Sequence, residues 1–314
     1  MPPPAQPHAG RAGHVVTIGI PTYNRPAGLE RAAHSALAQD YPRLEVLISD
    51  NASPDPEVSR VGTRLSSGDS RVRYVRQAHN AGHAANYQWL LEQARGKYFM
   101  WLADDDWIDP QYVSRCVAAL EDDPASVLVC GLGSYYREGS KLLEERPINL
   151  TSRRPGARLI SYFARVSLNG PMFGVAARED FRAIGFPPVV GGDWQLVAAL
   201  AGRGTVRTLG GVQIHRSLGG LGSDASRLTG DFGMRGLAAN QHHALVAARM
   251  WKEIAHSGPS FRAMGPIARG FTATLSAALI LGRFTLADLL RHGLGPTRAV
   301  ALEGRISTWL RARG

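Results

Sequence analysis

The sequence predicts an α/β fold, with a mostly parallel sheet flanked by helices and then a helical C-terminal region. Three observations predict it. Strand-like and helix-like segments alternate from residue 14 to residue 131, as they do where crossover helices join parallel strands. Polar clusters recur where the strands end, at residues 21–24, 50–51 and 104–106. Beyond about Gly230 the alternation stops, and helical segments follow with Gly and Pro between them.

Residues 1–13 (MPPPAQPHAGRAG) lack the apolar core of a secretory signal and read as a disordered leader. Residues 14–20 (HVVTIGI) are β-branched and apolar and form the first strand. Asn24 offers an N-cap to a helix over 26–39, whose first turn suits Pro26. Residues 44–50 (LEVLISD) are the second strand, followed by a turn and a helix near 57–65. Residues 72–76 are the third strand, and the helix over 84–94 is closed by Gly96. Residues 98–103 (YFMWLA) make a fourth strand, and a helix over 110–121 leads to a fifth at 126–131. The C-terminal region is expected to hold helices at 238–254, 262–281 and 286–290.

The 314 residues, 44% of them hydrophobic and 20% charged, suit a globular protein and exclude a collagenous, disordered or disulfide-stapled chain. The two cysteines, Cys116 and Cys130, read as core residues and fit a reducing, cytoplasmic setting. The longest uncharged apolar-leaning run, residues 270–282, falls short of the roughly 20 residues a membrane-spanning helix needs. No Walker A loop, zinc spacing, GxSxG elbow or HExxH is present.

Open α/β sheets bind ligands outside the carboxyl ends of their strands, so the polar strand ends predict a site on that edge. The sharpest feature there is the run Asp104-Asp105-Asp106 after an apolar strand. Adjacent carboxylates repel one another unless solvent or a cation absorbs the charge. Hard divalent cations take oxygen ligands from one or two carboxylates plus substrate phosphates. A solvated acidic turn ahead of the helix at Pro110 would explain the run alone, but the second strand also ends in a carboxylate, Asp50.

Residues 16–25 (VTIGIPTYNR), residues 44–55 (LEVLISDNASPD), the Asn80-Ala81-Gly82 turn, residues 96–99 (GKYF) and the acidic run occur in an order that resembles family 2 glycosyltransferases. The resemblance is clear from Val15 to about Ser134 and looser to His215. It implies the GT-A fold and transfer of a sugar from a nucleotide-sugar donor with inversion. It divides the chain into a transferase domain over 14–229, with a donor half at 14–135 and an acceptor half at 136–229, and a basic helical region over 230–314.

By the same resemblance, Pro21, Thr22, Tyr23 and Asn24 hold the nucleoside, and Asn80 and Gly82 lie below the base. Asp50 would accept a hydrogen bond from a pyrimidine imide, which favours UDP- or dTDP-sugars. Aligned on Pro110, the family's acidic pattern includes position 103, occupied here by Ala103. Asp105 is therefore assigned as metal and donor ligand, Asp104 as a donor contact, and Asp106 and His215 as further metal ligands for Mn²⁺ or Mg²⁺. The Gly/Ser-rich loop over 217–226 would close over the donor, and Arg216 and Arg227 could clamp phosphates. Asp193, ahead of a helix over 195–201, is the candidate base for the acceptor hydroxyl; capping that helix is the alternative. Trp194 either stacks on an acceptor sugar or fills core.

Residues 230–314 carry eleven Arg/Lys against four Asp/Glu, a net +7 of the chain's +10. Apolar residues among those charges suit a peripheral contact with anionic lipid on the inner membrane face, as would a lipid-linked sugar acceptor. Packing on the catalytic domain or a homodimer interface is the simpler reading. Nucleic acid is not expected, since no aromatic residues interleave the basic ones as a stacking platform. A sugar nucleotidyltransferase would need a Gly-rich phosphate loop after the first strand, where Pro21-Thr22-Tyr23-Asn24 stands instead. A catalytically inactive nucleotide-sugar-binding protein is the remaining alternative, and the gap at Ala103 keeps it open.

Overall fold

The computed structural model describes residues 14–137, 139–166, 168–217 and 242–294. The expected leader, nearly all of the loop over 217–226 with Arg227, and the tail beyond 294 lie outside the described residues.

The first sheet holds the parallel strands β1 (Val16–Thr22), β2 (Leu44–Asp50), β3 (Val72–Arg76) and β4 (Tyr98–Trp101), with β8 (Ala176–Ala177) antiparallel at one edge. Its order is β3-β2-β1-β4-β8. Every residue of β1, β2 and β4 is buried, because helices cover both faces and interior parallel strands can then be apolar throughout. Helices α1 (Pro26–Leu37) and α2 (Pro56–Gly68) make the crossovers from β1 to β2 and from β2 to β3. Helix α3 (His83–Gln93) carries the chain back past β1 to β4, so right-handed crossover places it on the opposite face. There Trp101 packs edge-on to Phe99 and Phe181, and its indole N–H donates to the Tyr87 carbonyl at 3.0 Å.

The second sheet has the order β5-β9-β6-β7. Its long strands β6 (Ser126–Arg137) and β9 (Thr205–Ser217) run parallel, with β5 (Trp107–Ile108) and β7 (Ser140–Glu144) antiparallel at the edges. A bridge between Val129 and Val175 joins it to the first sheet. Helix α4 (Tyr112–Asp122) precedes β6; α5 (Pro155–Arg165), the short α6 (Arg178–Arg182) and α7 (Gly192–Arg203) follow β7. The buried guanidinium of Arg158 on α5 donates to the Ala201 and Gly202 carbonyls, the open acceptors at the end of α7.

Three expectations shift. Asn24 does not cap α1: Arg25 holds that position without a side-chain bond, while Asn24 adopts a left-handed φ of 61° and accepts the Asp55 N–H at 3.2 Å. Asp193 lies inside the first turn of α7, not ahead of it. The C-terminal region has α8 (His242–Lys252) and one continuous helix α9 (Pro266–Leu294), not two helices broken near Gly282. A single glycine costs a helix only about 1 kcal/mol, less than packing on α5 and α8 can return. Among the described residues no helix is long and apolar enough to cross a membrane.

Candidate functional site

The strand order reverses between β1 and β4, and the chain segments leaving these two strands face each other across the switch point. Thr22, the last residue of β1, donates its hydroxyl to Asp104 Oδ2 at 2.9 Å, and the Tyr23 N–H reaches the same oxygen at 3.3 Å. Arg25 Nη1 lies 3.1 Å from Asp104 Oδ1 and 2.9 Å from Asp105 Oδ2, spanning the pair. Helix α1 can approach this loop because residue 28 is glycine: a Cβ there would collide with the Asp104 carbonyl oxygen.

The three carboxylates are not equivalent. Their side chains are 8%, 21% and 2% exposed in order, so Asp105 alone is open to a ligand. Burial pushes the Asp104 carboxyl up to about 6 against the opposing pull of Arg25. Burial also pushes Asp106 upward, while the enclosed guanidinium of Arg216 opposes it from 3.2 Å. The Ser217 N–H donates to the other Asp106 oxygen at 3.0 Å, and the Ser217 hydroxyl to the Asp105 carbonyl at 2.6 Å. The acidic loop is thus held between the end of β1 and the end of β9.

Asp50, at the end of β2, is fully buried. Its Oδ1 accepts the Ser53 N–H at 2.8 Å and its Oδ2 the Tyr74 hydroxyl at 2.9 Å, with Arg76 Nε at 3.6 Å. The expected acceptor for a nucleobase is therefore occupied by protein donors and closed to solvent. Neighbouring Asn51 organises the rim instead. Its amide donates to Asn80 Oδ1 at 2.8 Å and accepts the Ala81 N–H at 3.0 Å, while its backbone N–H binds the Thr22 carbonyl. These bonds fix the 80–82 turn, where Gly82 supplies a φ of 86°, beside the end of β1. Pro21 is buried within β1, whereas Tyr23 is 41% exposed and presents its ring at the strand end.

The metal set expected from Asp105, Asp106 and His215 is not assembled. His215 Nε2 pairs with Asp109 Oδ1 at 2.7 Å, its Nδ1 meets the Tyr136 hydroxyl at 3.1 Å, and its ring stacks on Trp107. Asp106 is spent on Arg216 and Ser217. Among the described residues no three His, Cys, Asp or Glu side chains form a group that could hold a metal. One accessible carboxylate, Asp105, does fit a hard cation whose other ligands come from substrate phosphates and water.

Asp193 is half-buried in the first turn of α7, and burial raises its carboxyl. It accepts the Asn169 amide N–H at 3.0 Å. Trp194 is half-buried and packs against the hydrophobic core. Sequence reasoning missed Arg25, Gly28, Asn51 and Asn169, each of which has a partner between 24 and 80 residues away. Arg25 stands directly after the first strand-end polar run and Asn51 within the second, whereas Gly28 and Asn169 carry no such local signal.

Residues 17–172 match the family model for Glycosyl transferase family 2. A Campylobacter jejuni GalNAc(5)-diNAcBac-PP-undecaprenol beta-1,3-glucosyltransferase is 35% identical over 92 residues, 29% of each protein. Matched stretches cover between 14% and 41% of the length of the curated relatives. Among solved structures, Staphylococcus aureus TarS 1-349 superposes with a TM-score of 0.59 at 15% identity, over 91% of this chain and 82% of that one. TarS is also known in complex with UDP-GlcNAc. The mannosyltransferase PcManGT of Pyrobaculum calidifontis, in complex with GDP-Man and Mn²⁺, superposes with a TM-score of 0.53 at 19% identity, over 94% and 80% of the two chains. At those identities the likeness establishes a shared GT-A fold.

Proposed function

Because the chain belongs over residues 17–172 to glycosyl transferase family 2, we propose that it moves a sugar from a nucleotide-diphosphate sugar to a hydroxyl acceptor with inversion. The transferase unit is taken as residues 14–229. The observation that carries this reading is the separation of roles around the switch point. A carboxylate-bearing loop is clasped to the end of β1, and a second, half-buried carboxylate stands on α7.

On this reading the strand-end residues Thr22 to Arg25 and the 80–82 turn receive the nucleoside, with the exposed Tyr23 ring against the base. Asp105 would hold Mn²⁺ or Mg²⁺ together with the donor diphosphate; when bound, the ion supplies charge neutralisation for the leaving group. Asp193 takes the proton of the acceptor hydroxyl as that oxygen attacks the anomeric carbon. Its raised proton affinity suits a base better than an ordinary carboxylate would. UDP- or dTDP-sugars are the favoured donors, and the TarS complex with UDP-GlcNAc supports a uridine donor. A lipid-linked sugar acceptor in bacterial surface-glycan assembly is supported by the undecaprenol-linked substrate named for the Campylobacter relative. The basic region over 230–314 would then lie against the inner face of the membrane.

Calorimetry with UDP, dTDP and GDP, each with Mn²⁺, Mg²⁺ or EDTA, tests the donor half. Release of nucleoside diphosphate from the matching sugar donor tests transfer. Metal-dependent binding of one diphosphate with turnover is expected. Binding without any turnover would make the chain a nucleotide-sugar-binding protein, and no binding by folded protein would overturn the proposal.

A further inference from the structure

The inner wall of the acceptor half contains a buried asparagine with an unusual backbone. Asn169 is 1% exposed and adopts φ 55° and ψ 44°, a left-handed conformation that, after glycine, asparagine and aspartate adopt most readily. Both ends of its side chain are used. Oδ1 accepts the hydroxyl of Tyr162 on α5 at 2.9 Å, and Nδ2 donates to Asp193 Oδ2 on α7 at 3.0 Å. The ionised Asp193 carboxylate can only accept, which fixes the N–H₂ end of the amide towards α7 and leaves Oδ1 to accept from the Tyr162 hydroxyl. Its neighbours are tied down as well: the Gly170 N–H donates to Glu145 at 2.9 Å, and the Leu168 carbonyl accepts Arg216 Nη1 at 2.9 Å.

We propose that Asn169 is the positioning residue for Asp193, with its amide, anchored by Tyr162, setting the orientation and the proton affinity of that carboxylate. This rests on the reading of Asp193 as the base, although the contact can be measured without any substrate. A hydrogen bond donated to the ionised form favours that form, so Asn169 works against the burial that raises Asp193. Other groups act on the same carboxylate. Arg216 of β9 also favours its charge, the N–H of Trp194 donates to it, and Tyr162 is itself pushed up by burial and then by the Asp193 charge. Glu145 acts on Tyr162 as well. The Asp180–Arg203 pair closes on itself at the far end of α7. Asn169 joins a left-handed backbone turn to this carboxylate. The left-handed turn aims the amide at α7.

The test is the titration of the Asp193 carboxyl, followed by ¹³C NMR in free protein and assigned with Asp193→Asn. Asn169→Gly keeps the left-handed turn and removes the amide. It is expected to shift the Asp193 titration upward by about one pH unit. In the pH profile of kcat/KM the acidic limb should move up equally, with donor KM unchanged. Tyr162→Phe frees the amide while leaving the 168–170 backbone alone, and a smaller upward shift is expected. An unchanged Asp193 titration in folded Asn169→Gly overturns the proposal, and so does an unchanged one in Tyr162→Phe should the glycine variant not fold. If the titrations shift but wild-type protein turns over no nucleotide sugar, the positioning contact stands and the transferase reading falls.

Discussion

Arg25 Nη1 stands 2.9 Å from Asp105 Oδ2, so the accessible carboxylate of the acidic run already has a cation at its side. The same nitrogen holds Asp104 Oδ1 at 3.1 Å. A fixed guanidinium competes for these oxygens and repels a second positive charge. Arg25→Gln is expected to raise the affinity of the free protein for Mn²⁺ several-fold. Electron paramagnetic resonance titration of Mn²⁺ reads this directly, and an unchanged or weaker affinity would refute the competition.

The pH dependence of stability reports on Asp104. Its carboxyl is raised in the folded protein to about 6 from an ordinary 3.8. A raised folded value means that the folded state binds the proton more tightly than the unfolded chain. The contribution to stability is therefore full below about 4 and is lost as pH rises through 6. In EDTA and without nucleotide, the difference in Tm between wild type and Asp104→Asn should change in the wild type's favour on going from pH 7.5 to pH 5. A pH-independent difference would mean that Asp104 is not perturbed.

Arg216, partly buried, pairs with the buried Asp106 at 3.2 Å, its guanidinium also lying over the Phe173 ring. Removing one member of such a pair leaves an uncompensated charge and costs about 3–5 kcal/mol. Arg216→Met is expected to lose stability on that scale in urea denaturation, and the double variant Asp106→Asn/Arg216→Met to recover part of the loss. Simple additivity of the two single variants would show that the pair is not coupled.

Gly28→Ala places a methyl group against the Asp104 carbonyl oxygen, where α1 and the acidic loop are closest. A misfit of this kind costs about 1–3 kcal/mol. The expected outcome is lower stability together with weaker nucleoside diphosphate binding in calorimetry, because both segments border the proposed donor site. Loss of stability with unchanged binding would separate the packing from the site.

Asp193→Asn preserves shape and removes the proposed base. Transfer should fall by about 10²- to 10⁴-fold while nucleotide affinity stays as in wild type. Wild-type turnover in the variant would remove Asp193 from the chemistry.

The first sheet was legible because its strands are short apolar runs between turn signals. The expected bounds of β2 and β3 coincide with those observed, whereas β1 starts and ends two residues later than expected, its pairing running from Val16 with Leu44 to Thr22 with Asp50. The edge strands β5, β7 and β8 were not legible: two are only two residues long, and β7 is fully exposed, so pairing partners rather than patterning define them. In the site, the acidic run showed in the sequence because its residues are adjacent. Division of labour among those carboxylates did not show, since Thr22, Arg25, Arg216 and Ser217 reach them across 79 to 111 residues. Asp50 reads as an available acceptor until Tyr74, on the neighbouring strand, fills it.

The clasp of Ser217 and Arg216 on Asp106 has a consequence for synthesis. The first sheet can pair as soon as β4 has emerged, since its four parallel strands all lie before residue 102. The partners of Asp106 come from the last two residues of β9, more than 100 residues later. At ribosomal rates of about 5–20 residues per second, the nascent chain carries this carboxylate uncompensated for several seconds or more. Until then the loop is held by the end of β1 and by Arg25 and Arg31 at the start of α1, so a chain arrested before residue 216 would present a paired parallel sheet with an unfinished edge.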